Sequence, residues 1–282
     1  MERFKGKIAF VMGAASKRGM GHAIAVRLAK EGADVIVADK YEAPKSLYSG
    51  DEQWKGLKGV VEEIESVGRK AIGIKADVSV STDVNRAVQT ALSHFGKIDI
   101  MINCAAIVPT NSEQYVVVMD EDEWEHVLAV NVTGSMLIAK AVAKHMLDRN
   151  AAGSKILFIS SISGKKGTAG GAAYGVSKFG VIGLTQVLAL ELAPYKINVN
   201  AICPGSIMTN IQDERFKLRA KSMSISMDEY RAQRFSEMAA RIPLGRMGTA
   251  DDVANLALFL VSSHADYMTG QSINFTGGLW MT

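Results

Sequence analysis

The sequence predicts an α/β protein, a doubly wound parallel sheet of seven strands with helices on both faces, folded as a single domain over residues 1–282. Three observations predict it. Strand-like and helix-like stretches alternate from one end to the other. The strand-like runs are continuous in Val, Ile and Ala rather than alternating with polar residues, as expected of strands buried on both faces. No linker-like composition divides the chain. Strict alternation requires crossover connections, and these make a sheet parallel and place helices over both of its faces. With 282 residues, 48% of them hydrophobic, the chain can bury one sizeable core.

The first strand is "KIAFVM", a short apolar run stopped by Gly13. "MGHAIAVRLAKEGA" has helical period, and "DVIVAD" is the second strand. After the stretch 41–58 begins, "WKGLKGVVEEIESVG" reads as a helix and "KAIGIKADV" as the third strand. The helix "STDVNRAVQTALSHFG", the strand "IDIMIN" and a long helix over 120–147 follow. "KILFIS" is the fifth strand, ending in a Gly/Ser-rich loop. A helix runs through "AYGVSKFGVIGLTQVLALELA", and the strand "INVNAI" stops at Pro204 and Gly205. Residues 206–245 read as two short polar helices, then "TADDVANLALFLVS" as a helix and "SINFT" as the last strand.

Composition narrows the function classes. A net charge of +3 with no Lys/Arg cluster argues against a nucleic-acid partner. No uninterrupted apolar stretch is long enough to span a bilayer, so no membrane role is expected. The first residues lack a secretory layout, and two cysteines make neither a disulfide framework nor a zinc site. The five histidines have no metal-ligand spacing, so no metal is expected, and a reducing, cytoplasmic setting is the expectation.

In such sheets ligands bind beyond the carboxyl ends of the strands. Gly13, Asp39, Asp77, Asn103, Ser160, Ser161 and Pro204 all fall just past a strand. The first turn, "GAASKRGMG", carries Gly13, Gly19 and Gly21 and runs through Lys17, Arg18 and Met20 into a helix. Small residues there let backbone N–H groups approach a pyrophosphate at a helix N-terminus. The spacing G-x-G-x-x-G is not met, and such a turn also serves plain helix packing. Asp39 lies 18 residues past Gly21 at a strand end. An acid there accepts hydrogen bonds from a ribose diol and repels a 2′-phosphate, which favours NAD. Lys17, Arg18 and Lys40 are nearby bases that would suit a 2′-phosphate instead.

"YGVSK" sets Tyr174 and Lys178 four apart, on one helix face. Taken alone, this tyrosine reads as a helix-surface aromatic, Ser161 as a loop or cap serine and Asn131 as a cap or kink. Together with Ser161 thirteen positions before the tyrosine, Asn131 in "LAVNVTG", "CPGSIMT" and "PLGRMGTADDVANLALFLVS", they resemble the short-chain dehydrogenase/reductase family along nearly the whole chain. The resemblance implies a Rossmann-type fold, NAD as cofactor and a secondary alcohol or its ketone as substrate. It implies that Tyr174 is the general base or acid and that Lys178 stabilises its phenolate and holds the nicotinamide ribose. A phenol, with a pKa of about 10, otherwise stays protonated near neutrality and cannot serve as a base there.

In the same resemblance Ser161 orients the substrate oxygen and Asn131 supports a proton relay. Asp77 and Val78 lie by the adenine and Asn103 by its ribose. Pro204, Gly205, Ile207 and Thr209 line the nicotinamide end. A homotetramer is implied, with "FTGGLWMT" near an interface. In the sheet order of the family Cys104 and Cys203 follow strands that are not neighbours, so free thiols are expected. The chain departs from the family pattern at Met12, usually Thr, and at "NCAA" and Thr276. Two extra residues between Gly13 and Gly19 resemble the enoyl-reductase branch, whose Tyr and Lys lie seven apart rather than four.

Two further segments are singled out. Residues 41–58, with Tyr41, Tyr48 and Trp54, are placed over the adenosine end, or else form a plain surface loop. Residues 206–240 are the expected substrate lid. It mixes Met208, Ile211, Phe216 and Met223 with Arg215, Lys217, Arg219 and Lys221, a basic cluster that could attract an anionic substrate, but Asp213, Glu214, Asp228 and Glu229 argue for an ordinary amphipathic helix pair. Two other readings stand beside the NAD-dependent one: an NADP-dependent 3-oxoacyl-type reductase, and a catalytically silent nucleotide-binding protein.

Overall fold

The structure is a computed structural model that describes residues 2–44, 46–110 and 115–281. Lys45, inside the 41–58 segment, and Thr282, the end of "FTGGLWMT", lie outside the described residues.

Seven strands, β1 (Ile8–Met12), β2 (Asp34–Asp39), β3 (Ala71–Lys75), β4 (Ile100–Asn103), β5 (Lys155–Ile159), β6 (Asn198–Pro204) and β7 (Ser272–Phe275), form one sheet in the order β3-β2-β1-β4-β5-β6-β7. Every neighbouring pair is parallel. Met12 pairs with Ala38 on one side and Asn103 on the other, so β1, β2 and β4 end level with one another. The strand order reverses between β1 and β4, which opens a crevice beyond their carboxyl ends.

Residues along each strand alternate between two buried faces. Val11, Val37 and Ile102 pack under α1 (Met20–Lys30), α2 (Leu57–Ser66) and α9 (Ala250–Leu260), against Ile24, Leu28, Ile64 and Leu258. Phe10, Ile36, Met101 and Phe158 pack under α3 (Ser81–Phe95), α5 (Gly134–Asp148) and α6 (Ala172–Leu192), against Val88, Ile138, Val142 and Val181. The remaining helices are α4 (Glu121–Leu128), α7 (Asp213–Ser222) and α8 (Met227–Ala240).

Three details differ from the sequence reading. The helix expected from residue 54 begins at Leu57, whose N–H donates to the Glu42 carbonyl (2.7 Å) and closes the 41–58 segment at its base. Trp54 is thereby left outside the helix, and its indole N–H donates to the Ala15 carbonyl (2.7 Å). The long helix over 120–147 is interrupted by a π-helical turn, Ala129–Thr133, that joins α4 to α5 and contains Asn131. Two segments, Glu121–Asp148 and Ala172–Tyr195, have the length and apolar composition of membrane spans, although each packs against the sheet through one side. The two cysteines are free thiols: Cys104 follows β4, Cys203 lies in β6, and β5 runs between these strands.

Candidate active site

The crevice contains a cavity of about 430 Å³ whose floor is the glycine-rich turn. Gly13 follows β1 at φ +82°, and a Cβ on it would lie 2.5 Å from the Ala105 nitrogen. A Cβ on Gly21 would lie 2.2 Å from the Gly13 carbonyl oxygen. The turn therefore tolerates no side chain at either position. Gly19 is the N-cap of α1; it offers no side-chain acceptor, and the first turn of the helix has no acid. The N-terminal amides of α1 are thus free of an internal cap, at the end of the helix that favours anions. Gly19, Met20 and Gly21 line the cavity beside Lys17. This cradle fits the diphosphate of a dinucleotide.

Asp39 lines the same cavity at the end of β2. Its carboxylate accepts from the Ala15 N–H (3.0 Å) and the Tyr41 N–H (3.3 Å). Burial pushes its pKa up, and these backbone donors oppose the shift. Asp77 and Val78 line the wall beyond it. The 41–58 segment contributes Tyr41, Pro44, Ser46, Leu47 and Trp54 to the lining.

The bases near Asp39 are already paired. Lys17 and Arg18 both reach Asp51, at 3.0 and 2.9 Å, and the Asp51 side chain is fully buried. Ser46 also donates to Asp51 (3.0 Å). Burial alone would raise the Asp51 pKa, but the bonds from Arg18, Lys17 and Ser46 outweigh it and the net shift is downward. Lys40 pairs with Asp77 at 2.9 Å. Arg18 consequently faces the 41–58 segment and does not line the nucleotide cavity, which corrects its expected placement.

Asn103 is corrected in the same way. Its amide donates to the Ser135 hydroxyl (2.9 Å) and its carbonyl accepts from Ala105 N–H (3.1 Å), so the buried side chain braces the end of β4 instead of facing a ribose.

A second cavity, of about 530 Å³, adjoins the first. Met20, Val108, Pro109, Thr209, Ile211 and Arg215 line both. Ser160, Ser161 and Tyr174 line its inner end, with Pro204, Gly205 and Ile207 next to them. Phe216, Phe235 and Met238 of α7 and α8 form its outer wall, as expected of a lid. Met208 and Met223, expected among the apolar lid residues, lie outside this cavity and are exposed.

Tyr174 stands in the first turn of α6 and Lys178 one turn further. The Lys178 ammonium is buried, donates to the Ile159 carbonyl (2.9 Å) and lies 5.6 Å from the centroid of the Tyr174 ring. The Ser160 hydroxyl donates to the Lys178 carbonyl (2.9 Å), fixing this turn of α6 to the end of β5. Ser161 caps a short 3-10 turn, its hydroxyl accepting from Ser163 N–H (3.1 Å).

The electrostatics differ from the simplest expectation. Burial pushes the Tyr174 phenol up to about 12, and a hydrogen bond with Ser161 opposes this. Burial pulls Lys178 down to about 8, against the Cys104 and Cys203 thiols, which favour its charge. With protein groups alone around it, Tyr174 is held in its protonated, neutral form.

Asn131 does not touch Lys178. Its amide donates to the Ile107 carbonyl (3.0 Å) and the Ser177 hydroxyl (2.9 Å), and its carbonyl accepts from Ile107 N–H (2.9 Å). It pins the segment after β4 to the turn of α6 that carries Lys178. The π-helical turn brings it there, and such bulges concentrate at functional sites.

This arrangement has relatives. A family model described as Enoyl-(Acyl carrier protein) reductase matches residues 13–280. The short-chain reductase protein NovJ of Streptomyces niveus is 35% identical over 271 residues, which cover 96% of this chain and 93% of NovJ. The chain belongs to the short-chain dehydrogenase/reductase family. Within this family of nicotinamide-dependent oxidoreductases, the 3-oxoacyl-[acyl-carrier-protein] reductase FabG of Staphylococcus aureus is 36% identical over 276 residues, 98% of each chain. The crystal structure of carveol dehydrogenase from Mycobacterium avium in complex with NAD superimposes with a TM-score of 0.86 at 28% identity, covering 99% of both chains.

Sequence reasoning missed Asp51, and it set Arg215 against the lid acids although none of them reaches it. Nothing in the local sequence marks Asp51, which lies twelve residues past the Asp39 that it complements.

Proposed function

We propose that this short-chain dehydrogenase/reductase interconverts a secondary alcohol and its ketone with NAD, and that Tyr174 handles the proton. The observation that carries the reading is the meeting of the two cavities. Ser161 and Tyr174 line the end of the lid-covered pocket next to the nucleotide groove, with the Lys178 ammonium buried behind the tyrosine ring. When bound, the nicotinamide supplies the ring carbon that accepts or gives the hydride.

The residues of the chain do the rest. Ser161 and Tyr174 hold the substrate oxygen between two hydroxyls. In reduction Tyr174 gives its proton to that oxygen as the carbon receives hydride; in oxidation it takes the proton back. The Lys178 cation is the counter-charge of the phenolate left behind. Apolar lid residues exclude water from the exchange. NAD is favoured because Asp39 lines the nucleotide cavity, where its carboxylate would accept from a ribose diol, and because Lys17, Arg18 and Lys40 are paired with acids.

A panel of secondary alcohols with NAD, read by absorbance of the reduced cofactor, tests the activity. Comparing NADH with NADPH separates it from NADP-dependent 3-oxoacyl-type reduction, which the likeness to FabG supports. A strong NADPH preference would overturn the role given to Asp39.

The outer face of α5 and α6 exposes Met136, Val176, Phe179, Val187 and Leu190. An apolar face of this kind supports the homotetramer. Sedimentation equilibrium giving a monomer at micromolar concentration would contradict it.

A further inference from the structure

We infer that the substrate carries an anionic group, which Arg215 and Arg219 of α7 receive in a side cavity under the lid. The inference rests on the reading of the lid-covered pocket as the substrate site, and it names the class of substrate that enters.

A cavity of about 450 Å³ adjoins the substrate pocket and shares Gln212, Arg215 and Phe216 with it as a common wall. Its far side carries Arg219, Arg234 and Tyr230. The acids of the lid do not answer all these bases. Glu214 pairs with Lys217 (3.7 Å). Asp213 and Asp228 pair with Arg231 (3.5 and 2.7 Å), and Glu237 pairs with Arg234. At the rim, Glu123 accepts from the N–H and hydroxyl of Thr110. Among the described residues, neither Arg215 nor Arg219 has an ion-pair partner.

Among the described residues Arg215 is therefore a cation without an acid partner, on the wall between the catalytic pocket and a basic side cavity. A guanidinium binds a carboxylate or phosphate through two parallel N–H donors, and such a pair strengthens where water is partly excluded. A neutral ketone would leave this donor unused. A ketone with a carboxylate or phosphate a few bonds from its carbonyl would engage it while the carbonyl oxygen lies between Ser161 and Tyr174. Of the four lid bases that the sequence sets against those acids, only Lys217 is ion-paired among the described residues, and Arg215 is the one of the other three that also lines the substrate pocket.

The test uses holoenzyme loaded with NADH and matched probes. These are oxo-carboxylic acids of increasing chain length beside their methyl esters, and oxoalkyl phosphates of matching length beside their dimethyl phosphate esters. Turnover is followed by absorbance and binding by calorimetry. The expected result is a kcat/KM preference of about tenfold or more for the anionic member of a pair, the range of one hydrogen bond to a charged group. The preference should disappear in Arg215→Gln, shrink in Arg219→Gln and return in part with Arg215→Lys. A preference confined to the carboxylic acids identifies the anion as a carboxylate; one confined to the oxoalkyl phosphates identifies a phosphate.

Equal use of charged and neutral members, or a preference that survives both glutamine variants, overturns the inference. So does a loss of NADH affinity in Arg215→Gln that accounts for the whole effect, since Arg215 would then serve the cofactor. If an acid binds in an Arg215-dependent way and no probe is turned over, the side cavity stands and the hydride-transfer reading falls. If no probe binds, the side cavity falls.

Discussion

Asp51 of the 41–58 segment grips Arg18 of the glycine-rich turn through two hydrogen bonds, 2.9 Å to Nε and 3.2 Å to Nη2. Lys17 completes the cluster from the same turn at 3.0 Å. The 41–58 segment thus neutralises two cations of the glycine-rich turn: Lys17, which lines the nucleotide cavity, and Arg18, which does not. Asp51→Asn should release them toward a 2′-phosphate. The ratio of kcat/KM for NADPH over NADH is expected to rise about tenfold, the effect of roughly one charge-assisted contact. An unchanged ratio would show that Asp39 alone sets the preference.

Tyr48 couples the same segment to the lid. Its ring lies between the guanidinium of Arg18, at 4.2 Å, and that of Arg231, at 3.7 Å. Arg231 is buried, and it also donates to the Leu47 carbonyl (3.1 Å). A Tyr48→Ala, Arg231→Ala double-mutant cycle should give a coupling of about 1–2 kcal/mol in unfolding free energy. Arg231→Ala alone leaves the buried Asp213 unanswered and should cost about 3 kcal/mol or more. Strict additivity of the two changes would mean that loop and lid are independent.

Lys178 opposes folding while it carries charge. Burial lowers its pKa to about 8 from the ordinary 10.5. Below pH 8 both folded and unfolded chains hold the proton, and the full penalty applies. Between pH 8 and 10.5 the unfolded chain keeps a proton that the folded chain has lost, so the penalty fades and stability from this group rises with pH. Lys178→Met should therefore abolish turnover and still raise Tm at pH 7, with the gain shrinking toward pH 10. A Tm lowered equally at both pH values would show that the bond to the Ile159 carbonyl outweighs the buried charge.

The fold was legible because its signals are local. Apolar runs bounded by glycine mark each strand, and helical period marks each cover. The reach of Trp54 to Ala15 and the π-helical turn at Asn131 were not legible, since each depends on contacts between distant segments. The residues that line the two cavities were legible where strand ends and a helix start place them, as with Asp39, Ser161 and Tyr174. Asn103 and Arg18 were misplaced because a side chain at a strand end or turn can swing to a neighbour instead of the cavity; Ser135 and Asp51 are those neighbours. Arg215 could not be singled out, because which acid answers which base is decided by how α7 packs on α8.

The central claim is that the Tyr174 hydroxyl carries the proton that accompanies hydride transfer. The most direct measurement is single-turnover oxidation of NADH by a ketone substrate in Tyr174→Phe, with NADH affinity measured on the same sample. A loss of rate of about 10²–10⁴-fold with cofactor affinity retained is the predicted result. Turnover at an undiminished rate would contradict it.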